Sequence, residues 1–204
     1  MVHHGVSAAF TPRDRPASRE ALDLEADRPV LLHVGSEERR KNVETLLDAM
    51  ALLVKERPDL LLLRIGGPSS RTRKRIARHG LERHVRYLSG LSEDQLVAAY
   101  SAADLFVFPS SYEGFGLPVL EAMKAGCPVV AARATSVPEI TGDAAVLVEA
   151  MDVSGLADAI ASLLDDPARR GVLRDMGIAR AAGFTWDRTA RQTADAYRRA
   201  LDAG

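Results

Sequence analysis

Two glutamates, Glu113 and Glu121, bracket the run Glu113-Gly114-Phe115-Gly116-Leu117-Pro118-Val119-Leu120-Glu121. An apolar strand pattern, Asp104 to Phe108, leads into it, and a helical pattern, Leu117 to Ala125, leads out. A strand, a glycine turn and a helix start make an anion site, because the first N–H groups of a helix have no partner inside it. Gly114 and Gly116 lack Cβ atoms, so their backbone can approach a ligand closely and adopt positive φ. Pro118 suits the first helical turn, where a missing N–H costs little. Glu121 lies four residues after Leu117, hence on the same helix face. Carboxylates there can accept hydrogen bonds from hydroxyl groups, and phosphate donors beside hydroxyl acceptors suit a sugar nucleotide. The plainer roles are a capping acid for Glu113, an acid complementing the helix terminus for Glu121 and a tight turn for the glycines. A second candidate is Arg40-Lys41, on a loop that opens a helix. Cations there can neutralise a diphosphate and stabilise it as it leaves. Otherwise they belong to a solvated charge cluster with Glu37, Glu38 and Arg39.

The elements that must position these residues alternate. Val30–Val34 reads as a short apolar strand ending at Gly35, and Val43 to Glu56 has helical periodicity until Pro58. Leu60 to Ile65 is apolar on both faces, as a buried parallel strand requires, and Gly66-Gly67-Pro68 breaks it. Arg71 to His79 predicts a basic helix and Val85 to Leu88 a strand. Ser92 to Gln95 predicts an N-cap for a helix continuing over Leu96 to Ala103. Pro128 to Ala131 and Val146 to Val148 are further strands, and Val153 to Ala203 reads as two or three helices. Residues 11 to 29, with Pro12, Pro16, Pro29 and many charges, read as the most linker-like stretch. Alternating strands and helices imply an open parallel sheet with ligands beyond the carboxyl ends of the strands. Gly35, Gly66, Pro109 and Arg133 all fall at such ends.

Composition narrows the classes. The 204 residues carry 27 Lys and Arg against 28 Asp and Glu, so a net charge of -1 predicts no steering of nucleic acid. The one cysteine, Cys127, starts an apolar run, excludes an internal disulfide and predicts a buried thiol in a reducing compartment. No stretch reaches the roughly 18 apolar residues of a membrane helix, and the first residues lack a signal-peptide pattern. The expectation is a cytoplasmic protein, with peripheral membrane contact left open. His33, His79 and His84 read as structural, and no His, Cys and carboxylate cluster has metal-ligand spacing.

Taken together, these motifs resemble the retaining glycosyltransferases of family four, whose GT-B fold sets two Rossmann-like domains face to face. Glu113 to Glu121 resembles their Glu-x7-Glu signature. Val34-Gly35-Ser36 with Arg40-Lys41-Asn42 resembles the first strand and phosphate-binding lysine. Ser136-Val137-Pro138-Glu139-Ile140, and Phe184-Thr185-Trp186 with Tyr197-Arg198, resemble later segments. The resemblance implies a Rossmann-like α/β open parallel sheet with helices on both faces, one half of a GT-B fold, with C-terminal helices. Residues 1–29 are expected to be interdomain-linker-like, 30–184 a nucleotide-sugar-binding domain and 185–204 a C-terminal helix.

By the same resemblance, Glu113 faces the donor sugar, Glu121 takes the ribose hydroxyls, and Lys41 and Arg40 hold the diphosphate. Gly114, Phe115, Gly116 and Leu117 offer main-chain groups, Gly35 and Ser36 line the phosphate turn, and Leu91 lies in the base loop. Many members have Gly-Arg where this chain has Gly35-Ser36, so Arg40 or Arg39 is expected to substitute. The implied substrate is a nucleoside diphosphate sugar such as a GDP- or UDP-hexose, with no cofactor and no metal. The implied partner is an acceptor-binding N-terminal domain that this sequence lacks, and the implied reaction is sugar transfer with retention. A non-catalytic nucleotide-sugar-binding module, or one half of a split glycosyltransferase, is the alternative. A sugar-nucleotide epimerase on the same fold would need His and carboxylate bases in the cleft, and none is apparent there.

Overall fold

The structure is a computed structural model describing residues 2–202. Met1, Ala203 and Gly204, the ends of the expected terminal segments, lie outside the described residues. In chain order the elements are α1 (Arg15–Ala21), β1 (Val30–Val34), α2 (Val43–Leu53), β2 (Leu61–Ile65), α3 (Ser70–His79), β3 (Val85–Leu88), α4 (Glu93–Ala102) and β4 (Leu105–Phe108). They continue with α5 (Leu117–Lys124), β5 (Val129–Ala132), α6 (Val137–Thr141), β6 (Val146–Val148), α7 (Val153–Asp165), α8 (Pro167–Ala181) and α9 (Trp186–Asp202).

Among the described residues six strands form one parallel sheet in the order β3-β2-β1-β4-β5-β6. The alternation of side chains along each strand sorts the core into two layers. Val30, Leu32, Phe106 and Phe108 face a cluster with α4, α5 and α6, whereas Leu31, Leu105 and Val107 face one with α2 and α7. Both faces are covered, which is why these strands read as continuous apolar runs. In this strand order the chain reverses direction between β1 and β4, and such a switch point opens a crevice at the carboxyl ends of the two strands.

Two short helices were not assigned from the sequence. The linker-like stretch 11–29 contains α1: Asp14 caps it by accepting from the Ala17 N–H at 2.9 Å, and Pro16 sits in its first turn. The prolines and charges that suggested a linker are therefore also helix-start signals. Val137–Thr141, given no secondary structure from the sequence, forms the short α6, again with a proline, Pro138, in its first turn.

Arg19 of α1 is 3% exposed and fixes that segment to the amino-terminal edge of the sheet. Its Nε donates to the Ala102 carbonyl at 3.0 Å, and its Nη1 reaches the carbonyls of Glu25, Ala26 and Arg28 at 2.8, 2.6 and 2.8 Å. Its Nη2 donates to Asp104 Oδ2 at 2.9 Å, an oxygen that also accepts from the Val30 N–H at 2.8 Å. Asp104 Oδ1 accepts from Arg15 at 2.5 Å.

Candidate active site at the switch point

The loops leaving β1 and β4 meet at the carboxyl edge and are tied together. The Gly35 N–H donates to the Ile65 carbonyl at 3.1 Å, and a short 3-10 turn, Arg39–Lys41, ends at Asn42 in the left-handed region (φ 51°). The Asn42 side chain donates to the Pro109 carbonyl at 3.1 Å, and the Ser111 N–H donates to the Arg40 carbonyl at 2.8 Å. Gly66 stands beside this loop at φ 136°, where a Cβ would come within 2.4 Å of the Gly35 carbonyl oxygen, so only glycine fits. Fully buried Arg64 of β2 bonds His33 and reaches Glu37 at 2.5 Å, bracing the loop from below. Burial, and then the Arg64 charge, push the His33 imidazole well below its ordinary pKa, so it stays neutral. Its role is structural, as its sequence suggested.

Glu113 is buried where the two loops touch. Its Oε1 accepts from Lys41 Nζ at 2.7 Å, and its Oε2 accepts from Arg40 Nη1 at 3.2 Å. Lys41 is itself buried, its Nζ 5.4 Å from the centre of the Phe108 ring. Arg40 is 38% exposed and is held from the solvent side by Glu38, whose Oε2 accepts from Nε at 2.8 Å. Glu38 also accepts from Ser36 Oγ at 2.9 Å. The hydrogen bonds from Arg40, then from Ser36, hold the Glu38 carboxyl below its usual range. Of the two arginines expected to substitute at the phosphate grip, Arg40 turns toward Glu113 and Arg39 stays exposed. Glu113 is not a capping acid: the N-cap of α5 is Gly116 at φ 99°, with no side-chain cap bond. A Cβ on Gly114 would meet no heavy atom within 4 Å, so open space lies in front of the turn.

Glu121 sits one turn into α5, half-buried. Its Oε2 accepts from the Tyr100 hydroxyl at 2.9 Å, and Tyr100 is fully buried in α4. Burial raises the Glu121 carboxyl above its ordinary pKa, the Tyr100 bond pulls it down, and the Glu93 charge adds to the rise. One turn before Tyr100, Leu96 lines an open groove of about 370 Å³ together with Gly35, Ser36, Gly66, Gly90 and Leu91. The structure thus joins Arg40, Lys41 and Glu113 in one cluster, and Gly35, Ser36 and Leu91 in an adjoining groove. Phe115 turns its ring away, onto His4 at 4.9 Å between centroids.

Three supporting residues escaped the sequence. Tyr100 reads as one more apolar-face residue of α4. Thr135 and Ser136 hold the Glu113 backbone from the end of β5: Thr135 Oγ1 accepts from the Glu113 N–H at 2.9 Å, and Ser136 Oγ donates to the Glu113 carbonyl at 3.2 Å. Their one available signal was a pair of hydroxyl residues at a strand's carboxyl end, on the rim where ligands bind. A larger concavity, about 810 Å³, lies at the opposite edge against α1 and residues 23–27, where Arg19 is already satisfied. Among the described residues no helix is long and apolar enough to cross a membrane.

The family model described as "Glycosyl transferases group 1" matches residues 14–180. O-antigen chain mannosyltransferase B of Escherichia coli is 39% identical over 171 residues, which cover 82% of this chain and 45% of that relative. Sucrose-phosphate synthase from Thermosynechococcus elongatus has a similar fold, with a TM-score of 0.85 at 33% identity, over 99% of this chain and 52% of that one. The C-terminal domain of a glycosyl transferase group 1 family protein from Francisella tularensis aligns with a TM-score of 0.76 at 25% identity, over 86% of this chain and 95% of that domain. The chain spans about half the length of the curated relatives it matches, at 45%, 48% and 50% of the first three. Sheet order, signature loop and comparisons agree: the chain belongs to the group 1 glycosyltransferases, and its Rossmann-like sheet with helices on both faces corresponds to one half of their GT-B fold.

Proposed function

We propose that this chain is the donor-binding domain of a retaining glycosyltransferase, taking a nucleoside diphosphate hexose at the switch point. The observation that carries the reading is Glu113, buried between Lys41 and Arg40 beneath an open glycine turn. In this reading the base lies in the groove of Gly35, Ser36 and Leu91, and Glu121 accepts from the ribose hydroxyls. The diphosphate meets Lys41, Arg40 and the start of α5, where Gly116 and Leu117 present main-chain groups. It takes the place of exposed Glu38 at Arg40. Glu113 accepts from the sugar hydroxyls and stabilises positive charge growing at the anomeric carbon.

Transfer is assigned to this domain together with an acceptor-binding domain. The bond from the anomeric carbon to the diphosphate breaks, and the acceptor oxygen bonds that carbon on the same face. The acceptor proton passes to the leaving phosphate. No protein nucleophile, cofactor or metal enters this scheme, because Lys41 and Arg40 balance the leaving charge. The mannosyltransferase name of the Escherichia coli relative supports a hexose.

Calorimetric titration with UDP, GDP and ADP, and with their glucose or mannose conjugates, tests the reading. One nucleotide should bind, and Glu121→Ala should weaken it about tenfold or more, as expected for a lost charge-assisted bond. Failure of all of them to bind would overturn the donor assignment.

A further inference from the structure

Glu113 stands in the loop between β4 and α5, outside strand and helix, with its carboxylate aimed at Lys41 and Arg40. We propose that Thr135 is the positioning residue that sets this aim, acting through the Glu113 backbone. The inference rests on the donor reading above.

Thr135 adopts φ 44°, in the left-handed region, where a β-branched residue is a true outlier. Such conformations persist only where the surroundings enforce them, and they cluster at functional sites. What this conformation achieves is visible. Thr135 Oγ1 accepts from the Glu113 N–H at 2.9 Å and donates to the Glu113 carbonyl at 2.8 Å, so one hydroxyl grips both polar groups of one residue. Its neighbour Ser136 shows the same diversion. Ser136 is the N-cap of α6, yet its side chain makes no cap bond. It donates instead to the carbonyls of Glu113, at 3.2 Å, and Phe115, at 2.8 Å. Two consecutive residues thus forgo local comfort, one its preferred φ and one its helix cap, and both serve Glu113. Neither touches the groove that receives the base in this reading.

Four variants separate the hydroxyl from the backbone conformation. Thr135→Ser keeps the hydroxyl. Thr135→Ala loses it, and Thr135→Gly loses it while relieving the strain. Ser136→Ala removes only the second grip and keeps the test alive if a Thr135 variant fails to fold, which circular dichroism would show. Each is titrated with the nucleoside diphosphate that the wild type binds and with its hexose conjugate. Thr135→Ala and Thr135→Gly should lose about tenfold in affinity for the conjugate and less than about twofold for the free diphosphate. Thr135→Ser should stay within about twofold for both, and Ser136→Ala should fall between. Equal losses for both ligands, no loss, or a loss shared by Thr135→Ser would overturn the proposal. A wild-type chain that binds no nucleotide, or gains nothing from the sugar, would overturn the donor reading first and this one with it.

Discussion

β1 and β4 carry a buried ion cluster at each end, and the two are built differently. At the amino edge, Arg19 donates through Nε, Nη1 and Nη2, and both Asp104 oxygens are occupied. At the carboxyl edge, Lys41 has Glu113 as its one hydrogen-bond partner among the described residues, and Arg40 is 38% exposed. An ion pair taken out of water costs several kcal/mol, recovered only when every donor and acceptor is met. In the amino-edge cluster every Arg19 nitrogen and both Asp104 oxygens have partners, and the cluster closes a fold. The carboxyl-edge cluster leaves donors over beside an open turn, which is how a site built for an anion differs from a staple.

Removing one partner from each cluster should divide stability from binding. Asp104→Ala strands a buried guanidinium and should cost about 3–5 kcal/mol, or about 10 °C in melting temperature for a domain of this size. Nucleotide affinity of the folded fraction should stay within about twofold of wild type. Glu113→Gln keeps the shape and an acceptor for Lys41, so its melting temperature should shift by less than about 3 °C, while affinity for the nucleotide sugar falls about tenfold or more. If Asp104→Ala abolished binding at full folding, or Glu113→Gln unfolded the chain, the contrast between the two edges would collapse.

Within the carboxyl-edge cluster the two adjacent arginines sharpen the contrast. Arg40→Ala should weaken nucleoside diphosphate binding about fivefold, and Arg39→Ala less than about twofold. Equal losses would mean that general charge, not placement, holds the phosphate.

The smallest effect concerns Glu121. Burial raises its carboxyl pKa, so the folded chain keeps this proton to a higher pH than the unfolded chain does. Stability therefore falls as pH climbs from the ordinary carboxylate range through the raised value. Glu121→Gln should melt about 1–2 °C higher than wild type at pH 8, and the gain should vanish near pH 4. A constant difference across that range would remove the buried carboxylate as its cause.

Local patterns made most of the frame readable. Val30–Val34, Val85–Leu88 and Val146–Val148 appear with the bounds their sequence gives, because short β-branched or leucine-containing runs stop at Gly35, at Ser89-Gly90 and at the charged Glu149. The N-cap at Ser92 is present with its Gln95 partner, forming a capping box. The approach of Arg40 and Lys41 to Glu113 required strand order, since some seventy residues separate them and only the β1–β4 pairing brings them together. α1 was missed because much of its anchoring is tertiary: Arg19 reaches the Ala102 carbonyl and the Asp104 carboxylate, more than eighty residues away. Thr135 and Tyr100 were silent for the same reason, each acquiring its role from a partner on another element.

The cross-ties between the loops, Asn42 to Pro109 and Ser111 to Arg40, bear on how this domain can change. The segments after β1 and β4, with Thr135 and Ser136 behind them, form a single graft. Exchanging one of them between related enzymes would leave the others reaching for atoms no longer in register. A new donor preference would travel more safely as the whole set, residues 35–45, 109–121 and 135–136, than as any segment alone.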